Sequence, residues 1–150
     1  MKMTPELKKA QENMNPGVIT AEGFLGTDKR NLSSILDEDA QMMRRLEVNP
    51  DEAARMLRHF MEEGQKGLGE PVTVDGRWIV RTDEARGHLV CPWEDGIFRK
   101  INVTVERKDT GDKLYFTDLS IHLLETHGFL EGKGSTFRLN LEILAHLLML

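Results

Sequence analysis

The sequence predicts an α+β protein with N-terminal helices, an antiparallel β-meander of about five strands and two C-terminal helices. Apolar residues recur at three- and four-residue spacing before residue 64, whereas apolar and polar residues alternate from residue 71. Helix start and stop signals return after residue 117. The 150 residues suit a single domain, 1–150, and the alternative is a helical part, 1–67, followed by a sheet-plus-helix part, 70–150.

Three helices are predicted in the first half of the chain, and a polar residue introduces the first and the third. Thr4 and Asn49 precede a proline, which suits the first turn of a helix because an N–H at that position has no partner within the helix. The acidic run 37–39 marks either a solvated face of the second helix or a break in it. The predicted helices cover residues 5–14, 32–48 and 50–63, and residues 18–28 form an irregular connection.

The strands are predicted from period-two alternation and from turn residues. Asp75 and Gly76 lie between two β-branched runs, and such a pair tolerates the positive φ angles of a tight hairpin turn. Ile101, Val103 and Val105 alternate with polar residues, which indicates a strand with one buried face. The predicted strands cover residues 72–74, 77–80, 89–93, 97–107 and 114–116.

Two helices are predicted to follow the strands. Asp118 is the expected N-cap of a helix over 119–127, and Gly128 ends it because glycine readily adopts the left-handed conformation of a C-cap. Asn140 begins a helix over 141–150 that is apolar nearly all round. This helix is too short to cross a bilayer, so it either packs in the core or contacts a protein partner, including a second copy of the chain in a homodimer.

Charge and cysteine content narrow the class of protein. Lysine and arginine number 20 against 25 acidic residues, a net charge of -5 that argues against nucleic acid and acidic membranes as partners. A single cysteine, Cys91, cannot form an internal disulfide, and the N-terminal residues lack the apolar core of a signal peptide. The sequence therefore predicts a cytoplasmic location without membrane association.

Four residues have the types and spacing of a zinc site. His88 and Cys91 have two residues between them, and His122 and His127 have four. Two such local pairs can supply the four nitrogen or sulfur donors of a tetrahedral site. On a straight α-helix, however, residues five apart point about 140° away from one another. Both histidines can therefore bind one ion only if the last turn unwinds before Gly128.

A simpler interpretation needs no metal. Free cysteine is among the most buried residue types, so Cys91 is then a small apolar residue of a strand. His122 is a partly buried helix residue, and His127 interacts favourably with the negative end of the helix dipole. No residue of the chain is assigned a catalytic role in this interpretation.

The predicted function is that of an interaction or regulatory protein that is not an enzyme, with structural zinc at His88, Cys91, His122 and His127. One alternative is a winged-helix-like DNA-binding regulator over residues 32–80, although the exposed side of helix 50–63 carries four acids against two arginines. The other is a small metal-dependent hydrolase, in which three of the four ligands hold the ion, water takes the fourth position and Glu125 acts as the base.

Overall fold

The computed structural model describes residues 2–149 and has the predicted α+β class. Three helices precede an antiparallel sheet, and helical segments follow it. Within the described residues, no helix has the length and apolar character needed to cross a membrane. The elements are α1 (Pro5–Asn13), α2 (Leu32–Arg45), α3 (Pro50–Gln65), β1 (Val72–Val74), β2 (Trp78–Val90), β3 (Ile97–Arg107), β4 (Lys113–Thr117), α4 (Asp118–His122), a π-helix (Leu123–His127) and α5 (Leu141–Leu148).

The sheet is a meander in which each strand pairs antiparallel with the next, in the order β1-β2-β3-β4. It has four strands rather than about five, because the second and third predicted strands are one continuous strand, β2. Residues 83–88 of β2 are polar or small and exposed, so they lack the apolar alternation that signals a strand. They pair with β3 beyond the end of the short β1, with a bulge between Ala85 and His88.

Side-chain caps begin the helices as the sequence indicates, with one correction. The predicted cap of α4, Asp118, is the first residue of the helix, and Thr117 is the cap. The Thr117 hydroxyl accepts from the Ser120 N–H at 3.1 Å, while the Thr117 N–H donates to the Ser120 hydroxyl at 3.0 Å. Side chains that accept backbone N–H groups at the other starts belong to Thr4, Asn31, Asn49 and Asn140.

The acidic run in α2 neither breaks the helix nor lies wholly in solvent. Asp39 is buried, and the guanidinium of Arg138 donates to its two carboxylate oxygens at 2.8 and 3.0 Å. This pairing across the fold offsets the cost of burying the carboxylate. The helix ends at Arg45 rather than at residue 48, since Glu47 has a left-handed φ of 57°.

The larger apolar cluster lies between the sheet and helices α3 and α5. Gly64 lets α3 approach β2 closely, because a Cβ at this position would lie 2.6 Å from Cγ1 of Val80. Helix α5 buries Leu144 and Leu147 in this cluster, and the indole N–H of Trp78 donates to the Leu147 carbonyl at 2.9 Å. The structure thus gives the C-terminal helix a core role, and Leu150, the last residue of the predicted helix, lies outside the described residues.

A second apolar cluster joins α1 and α2 to the loop between β2 and β3 and to the segment after β4. Its buried members include Met14, Leu32, Ile35, Cys91 and Leu123. Each of the two clusters contains residues from both the predicted helical part, 1–67, and the predicted sheet-plus-helix part, 70–150. The second cluster therefore places the helical N-terminal half directly against the region where the predicted metal ligands lie.

Candidate metal centre

The first part of the site is the loop 91–96 between β2 and β3. Cys91 follows the last residue of β2, and Pro92, which lacks an N–H, cannot continue the ladder. The N–H of Cys91 donates to the Gly96 carbonyl at 3.0 Å, and the N–H of Glu94 donates to the Cys91 carbonyl at 2.8 Å. This tight turn brings the side chains of Cys91 and Asp95 to the same site.

The second part of the site is the π-helix that follows α4. The N–H of Gly128 donates to the Leu123 carbonyl, five residues earlier, and such a turn is wider than an α-helical one. His122 and His127 are also five residues apart, and their ring centroids lie 5.3 Å from each other. The departure from α-helical geometry that the histidine spacing requires is thus present. Gly128 ends the segment with a φ of 62°, which confirms it as the C-cap.

Four side chains converge where these two parts meet. Nε2 of His122 donates to Oδ1 of Asp95 at 2.9 Å, and Nε2 of His127 donates to Oδ2 at 2.8 Å. Sγ of Cys91 lies 3.7 Å from Nε2 of His127. One donor atom from each of the four residues lies within 4.8 Å of the other three. We refer to Cys91, Asp95, His122 and His127 as the Cys-Asp-His-His cluster.

The structure brings together three of the four predicted ligands and places His88 elsewhere. His88 is exposed on β2, opposite Arg99 of β3. Because successive strand residues face opposite sides, a residue three positions before Cys91 is not expected to share its side of the strand. Asp95 belongs to the group instead. Its sequence signal is weak, since it lies in an irregular turn and a single aspartate has no diagnostic spacing.

Two aromatic side chains enclose the imidazole rings. Trp93 stacks on His127 with ring centroids 4.0 Å apart and planes 8° apart, and Phe98 lies 4.5 Å from the ring of His122. The Cys91 side chain is fully buried, whereas the carboxylate of Asp95 is 36% exposed. Solvent therefore reaches the cluster mainly from the side of Asp95.

The surroundings hold these groups in defined protonation states. Burial, together with a hydrogen bond to Asp95, raises the pKa of the Cys91 thiol to about 12. Burial acts to raise the pKa of Asp95, but hydrogen bonds from Cys91 and His122 outweigh it and hold this pKa at about 2. Burial lowers the pKa of His127, against the attraction of Asp95. Asp95 is therefore ionised and the neutral form of His127 is favoured, as metal binding requires, while the thiol must lose its proton and Nε2 of His127 must give up the proton that it donates to Asp95.

The donor set matches the chemistry of zinc. Two imidazole nitrogens, one sulfur and one carboxylate oxygen all belong to its usual ligands, at bond lengths of about 2.0–2.3 Å. A tetrahedron with such bonds separates neighbouring donor atoms by about 3.3–3.6 Å. The distance of 3.7 Å between Cys91 and His127 is close to this value. The two histidines contact different oxygens of Asp95, at 2.9 and 2.8 Å, so binding of a metal through one of these oxygens would lengthen the contact to that oxygen by roughly half an ångström.

Residues that the two alternative functions require have other partners. The carboxylate of Glu125 accepts from the guanidinium of Arg58 at 3.1 and 3.3 Å, so this candidate base is engaged away from the cluster. The same contact occupies one of the two arginines on the exposed side of α3. His59, on that helix, contacts Asp75 at 3.0 Å. The partners in both pairs lie outside α3, so neither pair neutralises an acidic residue of this helix. Its exposed side keeps more acidic residues than arginines, which disfavours binding to DNA.

Comparisons with known proteins do not assign a family. No protein-family model matches the chain, and neither the curated proteins nor the solved structures include a significant match. The fold and site define the class of the protein as an α+β protein with a Cys-Asp-His-His cluster. Inferences about its function therefore depend on the geometry of that cluster.

Proposed function

We propose that the chain is an interaction or regulatory protein of the cytoplasm, without enzymatic activity, whose fold is held by a structural zinc ion at Cys91, Asp95, His122 and His127. One observation carries the proposal: four side chains of zinc-binding type, from a strand-connecting loop and a distant helical segment, place their donor atoms within 4.8 Å of one another. The single cysteine remains available as a thiolate ligand in a reducing compartment.

The identity of the metal follows from the donor atoms. Magnesium and calcium take mostly oxygen ligands and six or more of them, which this group does not supply. A thiolate with two imidazoles suits zinc, which accepts four ligands in a tetrahedron. A carboxylate as the fourth ligand compensates the charge of the ion together with the thiolate, so the complete site is neutral.

A structural role agrees better with the cluster than a catalytic one. A catalytic zinc site keeps one position for water or substrate, whereas the four protein donors of this cluster would occupy all four positions of a tetrahedral ion. Trp93 and Phe98 enclose the two imidazoles. Zinc would join the loop after β2 to the π-helix, and because these segments belong to the second apolar cluster, its binding would stabilise that cluster.

The decisive experiment measures zinc binding by the full chain and by two single-histidine variants. Protein stripped with a chelator is titrated with zinc against a chromogenic competitor. We expect one zinc per chain for the wild type and for His88→Ala, whose exposed histidine lies outside the cluster. His122→Ala removes a ligand and should lower the affinity at least about 100-fold, or 2.7 kcal/mol.

Equal zinc affinity in the wild type and His122→Ala would refute the site, as would substoichiometric zinc in the wild type. Loss of zinc binding in His88→Ala would contradict the proposed ligand set and support the one predicted from the sequence, in which His88 is a ligand. Cobalt separates the structural role from a catalytic one, because its absorption spectrum depends on coordination. In a closed site, added azide should leave the cobalt spectrum unchanged, whereas a spectral change would indicate an open position and favour a hydrolase.

A further inference from the structure

Helix α1 depends on the surface against which it docks. Its nine residues are fewer than the roughly 12–15 that an isolated helix needs for stability in water. Leu7 and Ala10 of the helix, together with Met3 before it and Met14 after it, contribute to the second apolar cluster. The side-chain oxygen of Gln11 also accepts from the N–H of Leu32 in α2 at 2.9 Å. Docking on the rest of the molecule therefore maintains this helix.

Part of that surface is the loop of the proposed zinc site. The amide of Asn13, the last residue of α1, donates to the carbonyl of Pro92 at 2.8 Å, across 79 positions of sequence. Cys91 packs in the same cluster as Ala10 and Met14 of the N-terminal segment. Pro92 follows the ligand Cys91 directly and precedes the ligand Asp95 by three residues, so ligation of both would restrain the carbonyl that Asn13 binds.

We propose that zinc binding and the docking of α1 are thermodynamically linked, so that loss of zinc releases the N-terminal helix. The inference rests on the proposed zinc site. A linkage of this kind is reciprocal: the factor by which zinc strengthens docking equals the factor by which docking strengthens zinc affinity. Asn13 is thus a positioning residue for zinc, although it is not a ligand.

Release of α1 would change the surface of the molecule. Leu32 and Ile35 of α2 are fully buried in the cluster that α1 helps to cover. When α1 undocks, part of this apolar surface becomes accessible. The zinc-poor chain would therefore present an apolar surface that the zinc-loaded chain buries.

The test combines amide hydrogen exchange with zinc affinity in the full-length chain. Zinc should slow exchange of the amides of residues 8–14 by at least about fivefold, the lower range of measured allosteric couplings. Asn13→Ala and Leu7→Ala weaken docking through different contacts, and both should lower zinc affinity by about fivefold or more. Asn15→Ala, at an exposed position two residues beyond the helix, is the matched control and should bind zinc as the wild type does.

The outcomes separate the linkage from the zinc site on which it depends. Absence of zinc binding in the wild type would overturn both. Stoichiometric binding with unchanged exchange in α1 would overturn the linkage and leave the zinc site intact. A loss of affinity in Asn13→Ala without one in Leu7→Ala would also overturn it, because the effect would then be confined to the contact with Pro92. Protection of the strand β3 amides in each variant checks that the sheet remains folded.

Discussion

His122 owes its orientation to a neighbour on the same helical segment. The hydroxyl of Thr126 lies 3.2 Å from Nδ1 of His122, while Nε2 donates to Asp95. A hydroxyl can donate to a bare ring nitrogen or accept from an N–H. Thr126 can therefore serve His122 both when Nε2 carries the proton and when Nε2 binds a metal and the proton moves to Nδ1.

We expect Thr126→Val to lower zinc affinity by about 10–100-fold, the usual effect of losing a partner that orients a ligating histidine. Valine keeps the β-branched shape of threonine, so the change removes the hydroxyl with little change in packing. Competition with a chromogenic chelator measures the effect. Thr73→Val, at an exposed position of β1, is the matched control. An affinity equal to that of the control would show that the Thr126 hydroxyl has no role in orienting His122.

Glu131 is a buried acid whose charge opposes folding. It is 7% exposed, and its carboxylate accepts from the Ser135 hydroxyl at 2.6 Å. Burial raises the pKa of this carboxyl to about 7, against the lowering effect of Ser135. Between pH 4.5, the ordinary pKa of the group, and pH 7, the folded chain holds a proton that the unfolded chain has lost. Rising pH in this window therefore favours unfolding.

Glu131→Gln should remove this pH dependence, because the amide stays neutral. Relative to the variant, we expect the wild type to lose up to about 3 kcal/mol of unfolding free energy as the pH rises from 4.5 to above 7. Urea denaturation at several pH values gives the difference between the two proteins. Glu142→Gln, at an exposed carboxyl, is the matched control. A wild-type-minus-variant difference that is constant with pH would contradict the raised pKa.

Two glycines with positive φ, Gly128 at the end of the π-helix and Gly26 in the connection between α1 and α2, differ in the space around them. A Cβ at Gly128, where φ is 62°, would have no atom within 4 Å beyond those of its two chain neighbours. A Cβ at Gly26, where φ is 57°, would lie 2.3 Å from the backbone nitrogen of Ser135. The first glycine therefore supplies only backbone freedom, whereas the second also allows two loops to approach closely.

Alanine at each glycine should separate these two roles. Gly128→Ala should destabilise the fold by about 1–2 kcal/mol, the cost of placing an L-residue in the left-handed region. Gly26→Ala should cost more, since steric overlap with the backbone around Ser135 is added to the same strain. Chemical denaturation measures both losses. Equal losses would mean that the chain near Ser135 moves away without cost.

Elements with local signals were predictable, and those determined by long-range pairing were not. Proline and asparagine at the start of α3 gave its beginning correctly, because capping is a local interaction. The polar stretch of β2 is a strand only because β3 pairs with it, so no pattern within residues 83–88 reveals it. Likewise, the histidine spacing required a helix that departs from α geometry, but Asp95 entered the cluster through a turn without a sequence signature.

The whole molecule depends on contacts between its N-terminal and C-terminal halves. In the larger apolar cluster, Leu57 and Phe60 of α3 join Val103 of β3 and Leu144 of α5. In the second cluster, residues of α1 and α2 join residues of α4 and the π-helix. Division at 67–70 would expose apolar surface on both products. Zinc would add a link inside the C-terminal part, between the loop 91–96 and the π-helix.

We therefore expect that neither fragment, 1–67 nor 70–150, folds cooperatively by itself, although each has the length of a small domain. Each fragment would retain the capping residues of its helices but would lack part of both apolar clusters. Chains of this size are only marginally stable, so this loss should prevent cooperative folding. Circular dichroism melts and amide NMR spectra of each fragment, compared with the full chain, test this. A cooperative melt with dispersed amide signals in either fragment, with or without zinc, would instead establish the two-part organisation as an alternative to one domain.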